Sequence, residues 1–246
     1  MAPERPTKNL DITQDPEGYR YSIEPFLLAS FVRLNPGLRV LDIGTGCGII
    51  PLLMATREPQ ARITAVEIQD PLYQLALRNV SVNGLSTTIQ VIHNDFIKEA
   101  ESRPDNSFDL IVSNPPYRKK NTGRVNPNPQ KATARHELSL NLGDLIRHSA
   151  SLLALGGRIA FAYPPNRLPE TLAECSRHGL SPARLRFVHG YQGAEARIFL
   201  LEALKGRHID CVVESPLCVY NGSNTYTLEM EGIYDSFNNC NRPDYL

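Results

Sequence analysis

The tetrapeptide Asn114-Pro115-Pro116-Tyr117 directly follows the apolar run 108–113, which has the composition of a buried strand. Neither proline nitrogen carries a hydrogen for a strand ladder, so the strand must end here with Asn114 at its carboxyl end. In open α/β sheets, ligands bind at that end. The Asn114 amide oxygen and a proline carbonyl then give two acceptors for one NH2 group. Such a pair suits methyl transfer to an amine conjugated to a ring or a carbonyl, because hydrogen bonds draw its lone pair out of conjugation.

A second chemical signal lies upstream, in the run Val40-Leu-Asp-Ile-Gly-Thr-Gly-Cys-Gly48. It predicts a short buried strand that enters a glycine-rich turn, because glycine permits positive φ and a close approach of ligand to backbone. The spacing is G-x-G-x-G, which differs from the G-x-G-x-x-G of dinucleotide-binding proteins. The next predicted strand, Arg62–Glu67, ends in a carboxylate about 20 residues beyond the turn, the spacing of a ribose-hydroxyl acceptor.

The remaining patterns alternate strands with helices. Strands are predicted at Arg39–Gly44, Arg62–Glu67, Thr88–His93, Phe108–Ser113, Arg158–Tyr163, Arg184–Val188 and Arg197–Leu204. Helices are predicted at Glu24–Leu34, Ile49–Arg57, Pro71–Asn83, Asn141–Leu155 and Leu168–His178, with helix stops at Asn83-Gly84 and Gly156-Gly157. This alternation predicts a single α/β domain with a mostly parallel sheet covered on both faces. The tail after Lys205 is predicted to be extended at Ile209–Val213 and Leu217–Tyr220.

Composition narrows the class of protein. The chain has 246 residues and a formal net charge of zero, and no apolar stretch approaches the length of a membrane span. Its amino terminus is polar, which argues against a signal peptide. Its five cysteines are scattered without a C-x-x-C pair, which argues against a zinc site or a disulfide framework and favours a reducing cytoplasm.

A basic segment follows the tetrapeptide. Between Asn114 and His136 the sequence has no Asp or Glu but contains the basic residues Arg118, Lys119, Lys120, Arg124, Lys131 and Arg135. A patch of this kind beside a reaction centre suits the phosphates that flank a target base. The alternative is a solvated surface loop. His136 is the one histidine placed to contact such a substrate.

The motifs Asp42–Gly48, Val66-Glu67, Asn94-Asp95-Phe96 and Asn114–Tyr117 together resemble those of the class I S-adenosylmethionine-dependent amino-methyltransferases. More narrowly, the segments Tyr21-Ser-Ile-Glu-Pro-Phe-Leu-Leu-Ala29 and Ala134-Arg-His-Glu137 make the chain similar to the bacterial tRNA(Val) adenine N6-methyltransferase family, which modifies the adenine beside the anticodon. The resemblance extends over most of the chain.

The resemblance implies a fold and a partner. The fold would be the Rossmann-like class I methyltransferase fold, with a seven-stranded, mostly parallel sheet, one antiparallel strand, and helices on both faces. Residues 1–38 would form an amino-terminal lid, 39–204 the methyltransferase core, and 205–246 an extension packed on that core. The protein would act on tRNA in the cytoplasm and would use no metal; the sequence leaves its oligomeric state open, with a monomer favoured.

The resemblance also implies roles for individual residues, with S-adenosylmethionine as the cofactor. Asp42 would lie near its ammonium group, Glu67 would accept both ribose hydroxyls, and Asp95 would accept from its adenine amino group. The remaining cofactor contacts would come from Gly44, Thr45, Gly46, Gly48, Ile68, Phe96 and Asn114. Catalysis would rest on Asn114, Pro115, Pro116 and Tyr117, with Tyr117 stacked on the target base. The RNA would be bound by Arg118, Lys119, Lys120, Arg124, Lys131, Arg135 and His136.

Alternative functions remain open on the sequence. Related enzymes methylate a glutamine side-chain amide in a protein, but they carry a sizeable amino-terminal helical domain, and only 38 residues precede the first predicted strand here. Another base in rRNA would present a similar amine. A third alternative is a non-catalytic subunit that binds the cofactor and activates another methyltransferase. The intact Asn114–Tyr117 motif argues against it, because a subunit without chemistry does not need these acceptors. A nicotinamide oxidoreductase is disfavoured by the glycine spacing.

Overall fold

The computed structural model describes residues 10–14, 22–114, 140–222 and 225–237. In these ranges the strands are β1 Arg39–Ile43, β2 Arg62–Glu67, β3 Ile89–His93, β4 Phe108–Ser113, β5 Leu153–Tyr163, β6 Leu180–His189, β7 Ala196–Lys205, β8 Val212–Val213 and β9 Leu217–Cys218. The helices are α1 Glu24–Phe31, α2 Ile49–Arg57, α3 Asp70–Val82, α4 Phe96–Glu101, α5 Leu142–Leu152, α6 Leu168–Arg177 and α7 Leu228–Asp235. The order confirms the predicted α/β alternation.

The strands form one sheet in the order β3-β2-β1-β4-β5-β7-β6-β8, and β9 also pairs with β6. Strand β7 runs antiparallel to both of its neighbours, and the other pairings are parallel. The described residues therefore contain nine strands, so the expected count of seven was wrong. The two additional strands are short and come from the tail, where Glu214 N–H donates to Leu185 O at 2.8 Å and Val219 N–H to His189 O at 2.9 Å. They cover the open edge of β6, which would otherwise expose unpaired backbone groups.

Two hydrophobic clusters lie on the opposite faces of the sheet. Neighbouring residues of one strand enter different clusters, as Val40 and Leu41 of β1 do. Helices α1, α2, α3 and α7 contribute to one cluster, and α4, α5 and α6 to the other. Because both faces are covered, the central strands β1, β2 and β4 are buried at nearly every position rather than at alternating ones.

The predicted helix stop at Gly156-Gly157 was wrong. Helix α5 ends at Leu152, and the glycine pair lies inside β5, where the pairing with β4 jumps from Phe108–Leu153 to Leu110–Arg158. Gly156 has a φ of +77°, and a Cβ on Gly157 would lie 2.8 Å from the Ala154 carbonyl oxygen. The glycines therefore permit an irregularity at the start of a strand, a use that local patterns do not distinguish from a helix end.

Residues 10–14 are bound to α3 by two asparagine side chains one helical turn apart. Asn79 accepts from Thr13 N–H and donates to Thr13 O, both at 2.9 Å. Asn83 pairs in the same way with the backbone of Asp11, at 2.9 and 2.8 Å. The Asn79 amide also donates to Cys47 O at 2.9 Å, so it connects this segment with the glycine-rich turn.

Candidate active site

The predicted site lies at the carboxyl edge of the parallel strands. Ile43 of β1 is level with Val66 of β2 on one side and with Ser113 of β4 on the other. The Ser113 hydroxyl also donates to the Ile43 carbonyl at 3.1 Å. The residues that follow these positions, Gly44, Glu67 and Asn114, therefore lie side by side at one edge of the sheet.

The glycine-rich turn has the backbone conformation that the sequence predicted. Gly44, Gly46 and Gly48 have φ values of +71°, +59° and +85°, which an L side chain rarely adopts. The backbone N–H groups of Gly44 and Thr45 both donate to Val66 O, at 2.9 and 3.1 Å, so the turn is fixed against β2. Gly48 also lies beside α3, because a Cβ at this position would be in ordinary van der Waals contact with Ala76, 3.4 Å away.

The carboxylate of Glu67 is buried and held from two sides. Its Oε2 accepts from Gly46 N–H at 2.8 Å, and its Oε1 accepts from Gln69 N–H at 2.9 Å. A carboxylate oxygen can accept more than one hydrogen bond, so both oxygens of Glu67 retain acceptor capacity. The structure thus places a fixed, buried carboxylate next to the glycine-rich turn.

Asp42 and Thr45 are polar groups in the interior. Asp42 is fully buried, and none of the described residues forms a hydrogen bond with either of its carboxylate oxygens or with Thr45 Oγ1. Burial raises the pKa of Asp42 to about 7; the charge of Glu67 adds to this, and the nearby Thr45 hydroxyl opposes it. A buried carboxylate without a partner is costly, and a cationic ligand would relieve that cost.

The end of β3 supplies the remaining predicted cofactor residues. Asn94 N–H donates to Glu67 O at 3.1 Å, which fixes the loop after β3 beside the site. Asp95 caps α4 through its Oδ1, which accepts from Ile97 N–H at 2.9 Å and Lys98 N–H at 3.2 Å. Phe96 begins α4 with a buried ring. Its backbone N–H is in the first helical turn, where such groups lack a helical acceptor.

Helix α4 was missed by the sequence analysis, although Asp95 is a residue type that commonly caps helices. The helix has only six residues, too few to show a clear apolar period. Ile68, predicted to pack on an adenine ring, is partly exposed in the loop after β2, and its carbonyl oxygen lies 3.0 Å from His93 Nε2. The His93 ring stacks on Tyr73 with centroids 5.0 Å apart, a contact that the sequence analysis did not predict.

Asn114 is half-buried at the end of β4. The other catalytic candidates, Pro115, Pro116 and Tyr117, lie outside the described residues. So do the predicted RNA-binding residues Arg118, Lys119, Lys120, Arg124, Lys131, Arg135 and His136. In the described ranges, no group of three or more His, Cys, Asp or Glu side chains is placed to hold a metal ion. The same ranges include no helix with the length and apolar character of a membrane span.

Solved structures with a similar architecture include several methyltransferases. A predicted O-methyltransferase from Agrobacterium tumefaciens matches 89% of this chain and 99% of its own, with a TM-score of 0.70 and 21% identity. A geranyl diphosphate methyltransferase in complex with S-adenosylmethionine matches 74% of this chain and 84% of its own, with a TM-score of 0.53 and 12% identity. These similarities establish the class I methyltransferase fold.

Similarity of sequence identifies the family of the protein more narrowly than similarity of fold does. The family model "Methyltransferase small domain" matches residues 25–163. A tRNA1(Val) (adenine(37)-N6)-methyltransferase from Porphyromonas gingivalis is 34% identical over 79% of this chain and 78% of its own length. A protein of the same name from Vibrio campbellii is 28% identical over 97% of this chain and 94% of its own length. The chain belongs to the methyltransferase small domain family and, within it, to the family of these tRNA1(Val) (adenine(37)-N6)-methyltransferases.

Proposed function

We propose that this protein transfers the methyl group of S-adenosylmethionine to N6 of an unpaired adenine in the anticodon loop of a valine tRNA. The observation that carries the proposal is the alignment of Asn114 with Gly44 and Glu67 at one edge of the sheet. With Asn114 as the acceptor for the target amine, this arrangement would bring the amine beside the cofactor, which supports the proposal. Family membership supports the choice of cofactor and of substrate.

The described residues fit S-adenosylmethionine. The buried Asp42 carboxylate, which lacks a hydrogen-bond partner among them, suits the ammonium group of the cofactor. The turn from Gly44 to Gly48 leads into α2, whose first N–H groups suit its carboxylate. Glu67 would accept from the two ribose hydroxyls. Asp95, Phe96 and Ile68 would contact the adenine, with Asp95 accepting from the amino group.

The cofactor supplies an electrophilic methyl group on its sulfonium. Asn114 Oδ1 and the Pro115 carbonyl would each accept one hydrogen from the target amine, and Pro116 would fix the loop that presents them. These contacts draw the nitrogen lone pair out of conjugation and point it at the methyl carbon. The methyl group would pass from the sulfonium to the amine nitrogen with S-adenosylhomocysteine as the leaving group, and the Asn114 and Pro115 acceptors would hold the amine while its extra proton is lost to solvent. Positioning and electrostatics carry the rate, so no general base is needed before transfer.

The substrate contacts complete the proposal. Tyr117 would stack on the target base, and the basic residues between Arg118 and Arg135, together with His136, would bind the flanking phosphates. Residues 1–38 would act as a lid, 39–204 as the core and 205–246 as a packed extension. The protein would work as a monomer in the cytoplasm.

The test is product analysis. Purified protein is incubated with methyl-labelled S-adenosylmethionine and an unmodified valine tRNA transcript, and the nucleosides are then separated. We expect label in N6-methyladenosine, and none when the adenine beside the anticodon is replaced by guanine. Label in another base, or in a glutamine of a release factor offered as competitor, would overturn the assignment.

A further inference from the structure

Three arginines hold the carboxyl end of α1 in place. Each comes from a different element and donates to backbone carbonyl oxygens there: Arg57 of α2 to Ala29 and Val32, Arg158 of β5 to Arg33 at 2.9 Å, and Arg184 of β6 to Phe31 at 3.0 Å. The helix is also apolar, and six of its eight residues are buried against α2 and the sheet. It is therefore a fixed part of the core, and the position of its other end follows from its length.

The amino end of α1 lies at the edge of the sheet that carries the candidate active site. Helix α2 begins directly after the glycine-rich turn and ends at Arg57, so its contact with α1 brings the carboxyl ends of both helices together at the opposite edge. Arg33, just beyond α1, lines a cleft at that opposite edge together with Asp109 of β4. The two helices have eight and nine residues, which correspond to about 12 and 14 Å. Glu24, the first residue of α1, is therefore about level with the glycine-rich turn.

Glu24 lies on the Asn114 side of that turn. Helix α1 packs against β5 and β7 as well as against α2. In the sheet, β5 is next to β4, the strand that ends before Asn114, whereas the turn follows β1 on the other side of β4. In the proposed reaction the methyl group passes from the cofactor to the amine between the turn and Asn114, so the sulfonium that carries it lies there as well. Glu24 is thus placed on the side of the site where the sulfonium would lie.

The Glu24 carboxyl group has an oxygen without a partner. Its Oε2 is inaccessible to solvent, and no described residue forms a hydrogen bond with it. Burial raises the pKa of the carboxyl group, and a hydrogen bond from its own backbone N–H opposes this. A buried carboxylate oxygen without a partner costs free energy that a nearby cation would offset. S-adenosylmethionine carries two cationic groups, the ammonium group that suits Asp42 and the sulfonium.

We propose that Glu24 lies beside the sulfonium of bound S-adenosylmethionine and makes the site prefer this cofactor to its product, S-adenosylhomocysteine. The proposal rests on the cofactor site of the proposed function. Methyl transfer removes the positive charge from the sulfur, so the attraction between the carboxylate and the ligand disappears when the reaction is complete. The product is then held by the contacts that both ligands share, at Asp42, Glu67 and the glycine-rich turn. Glu24 thus favours the exchange of product for fresh cofactor.

The experiment measures the Kd of the full-length protein for both ligands by calorimetry. Glu24→Gln keeps the size of the side chain and removes its charge. We expect the Kd for S-adenosylmethionine to rise about 5- to 50-fold and the Kd for S-adenosylhomocysteine to change less than about twofold, because charges in a partly buried site are weakly screened. Sinefungin, in which an amine-bearing carbon replaces the methylated sulfur, is expected to behave like S-adenosylmethionine. Glu58→Gln removes the same charge from the opposite end of α2 and is the matched control, with unchanged Kd values expected.

The outcomes separate this proposal from the proposed function. If the wild type does not bind S-adenosylmethionine, the cofactor site of the proposed function fails and this proposal fails with it. If the wild type binds it and methylates tRNA, but Glu24→Gln weakens both ligands equally or weakens neither, only the role of Glu24 is overturned.

Asp42→Asn supplies a second comparison, because the ammonium group is common to both ligands. Its loss of affinity is expected to be similar for S-adenosylmethionine and S-adenosylhomocysteine. A preference for S-adenosylmethionine that falls as far in Asp42→Asn as in Glu24→Gln would overturn the proposal, since the effect would then be one of total charge in the site. A loss in Glu24→Gln that is confined to S-adenosylmethionine and sinefungin supports the contact with the sulfonium.

Discussion

The backbone N–H of Gly46 donates a hydrogen bond to Oε2 of Glu67 at 2.8 Å and so ties the glycine-rich turn to the end of the adjacent strand. The turn depends on this carboxylate for its shape, just as the carboxylate depends on the turn for its position. The two proposed contacts with the cofactor, to its ribose and to its methionine part, thus belong to one hydrogen-bonded unit.

Replacing Glu67 with Ala is expected to weaken S-adenosylmethionine binding by about 1.5–3 kcal/mol, the range for hydrogen bonds to a charged group. The variant loses the diol acceptor and also leaves Gly46 N–H without its partner. Isothermal titration calorimetry measures the change. Glu195→Ala removes an exposed carboxylate from the β6–β7 hairpin and is expected to bind the cofactor like the wild type. If Glu67→Ala binds S-adenosylmethionine as tightly as the wild type, Glu67 does not contact the ribose.

Replacing Asn114 with Ala is expected to lower kcat about a hundredfold or more while leaving cofactor affinity nearly intact, because the contact with the amine strengthens in the transition state. Single-turnover methylation of tRNA, with cofactor binding measured in parallel, separates the two effects. Asn35→Ala, at the exposed turn before β1, is the matched control. Turnover at the wild-type level in Asn114→Ala would show that another group holds the amine.

Asp42 is expected to make the stability of the ligand-free protein depend on pH. Its pKa is raised from 3.8 to about 7 on folding, so the folded state holds the proton more tightly than the unfolded state. The free energy of unfolding therefore falls as pH rises from about 4 to about 7, by at most about 1.4 kcal/mol per pH unit, and this contribution levels off above 7. Asp42→Asn is expected to lack this slope in urea denaturation at several pH values.

Because the pKa of Asp42 is raised to about 7, we also expect a proton to be released when the cofactor binds. An ammonium group beside Asp42 favours the ionised carboxylate, so binding at pH 6 expels a proton from a fraction of the molecules. Calorimetry in buffers with different ionisation enthalpies measures that proton. Equal proton release by the wild type and by Asp42→Asn would show that Asp42 does not meet the ammonium.

Replacing Asn79 with Ala is expected to lower the free energy of unfolding by about 1–3 kcal/mol, because it leaves the buried Cys47 carbonyl and the Thr13 backbone groups without their partner. Asn83→Ala, one turn along the same helix, is a matched comparison with a smaller expected loss, because its bonds to Asp11 are exposed. Urea denaturation gives both values. If both variants lose the same free energy of unfolding, the hydrogen bond from Asn79 to Cys47 O does not contribute to stability.

Replacing both Lys119 and Lys120 with Ala is expected to reduce the salt dependence of tRNA binding. Each neutralised phosphate contributes a log–log slope of roughly 0.7 for single strands and 0.9 for duplex, so the slope should fall by about one to two units. Titration of both proteins against tRNA at several salt concentrations measures it, with cofactor affinity as the internal control. If plots of log Kd against log salt concentration have the same slope for both proteins, these lysines do not contact phosphates and the basic segment is solvated surface.

Local sequence patterns determined the strands and helices nearest to the site. Strands Arg62–Glu67 and Phe108–Ser113 and helix Ile49–Arg57 have the predicted bounds. Several of these ends are marked in the sequence, because proline restricts the backbone and glycine permits a positive φ that other residues rarely adopt. The same signals marked Glu67 and Asn114 as residues at the carboxyl ends of strands.

Only the tertiary structure decided how these ends come together. The order β2-β1-β4 puts Glu67 and Asn114 on either side of the glycine-rich turn, although 46 positions separate them in the chain. The burial of Asp42 and the pairing of the tail with β6 likewise depend on packing between distant segments. Periodicity reports which face of an element is apolar but not which partner covers it. The neighbours that set the pKa of Asp42 or cover the edge of β6 are therefore determined only when the chain is folded.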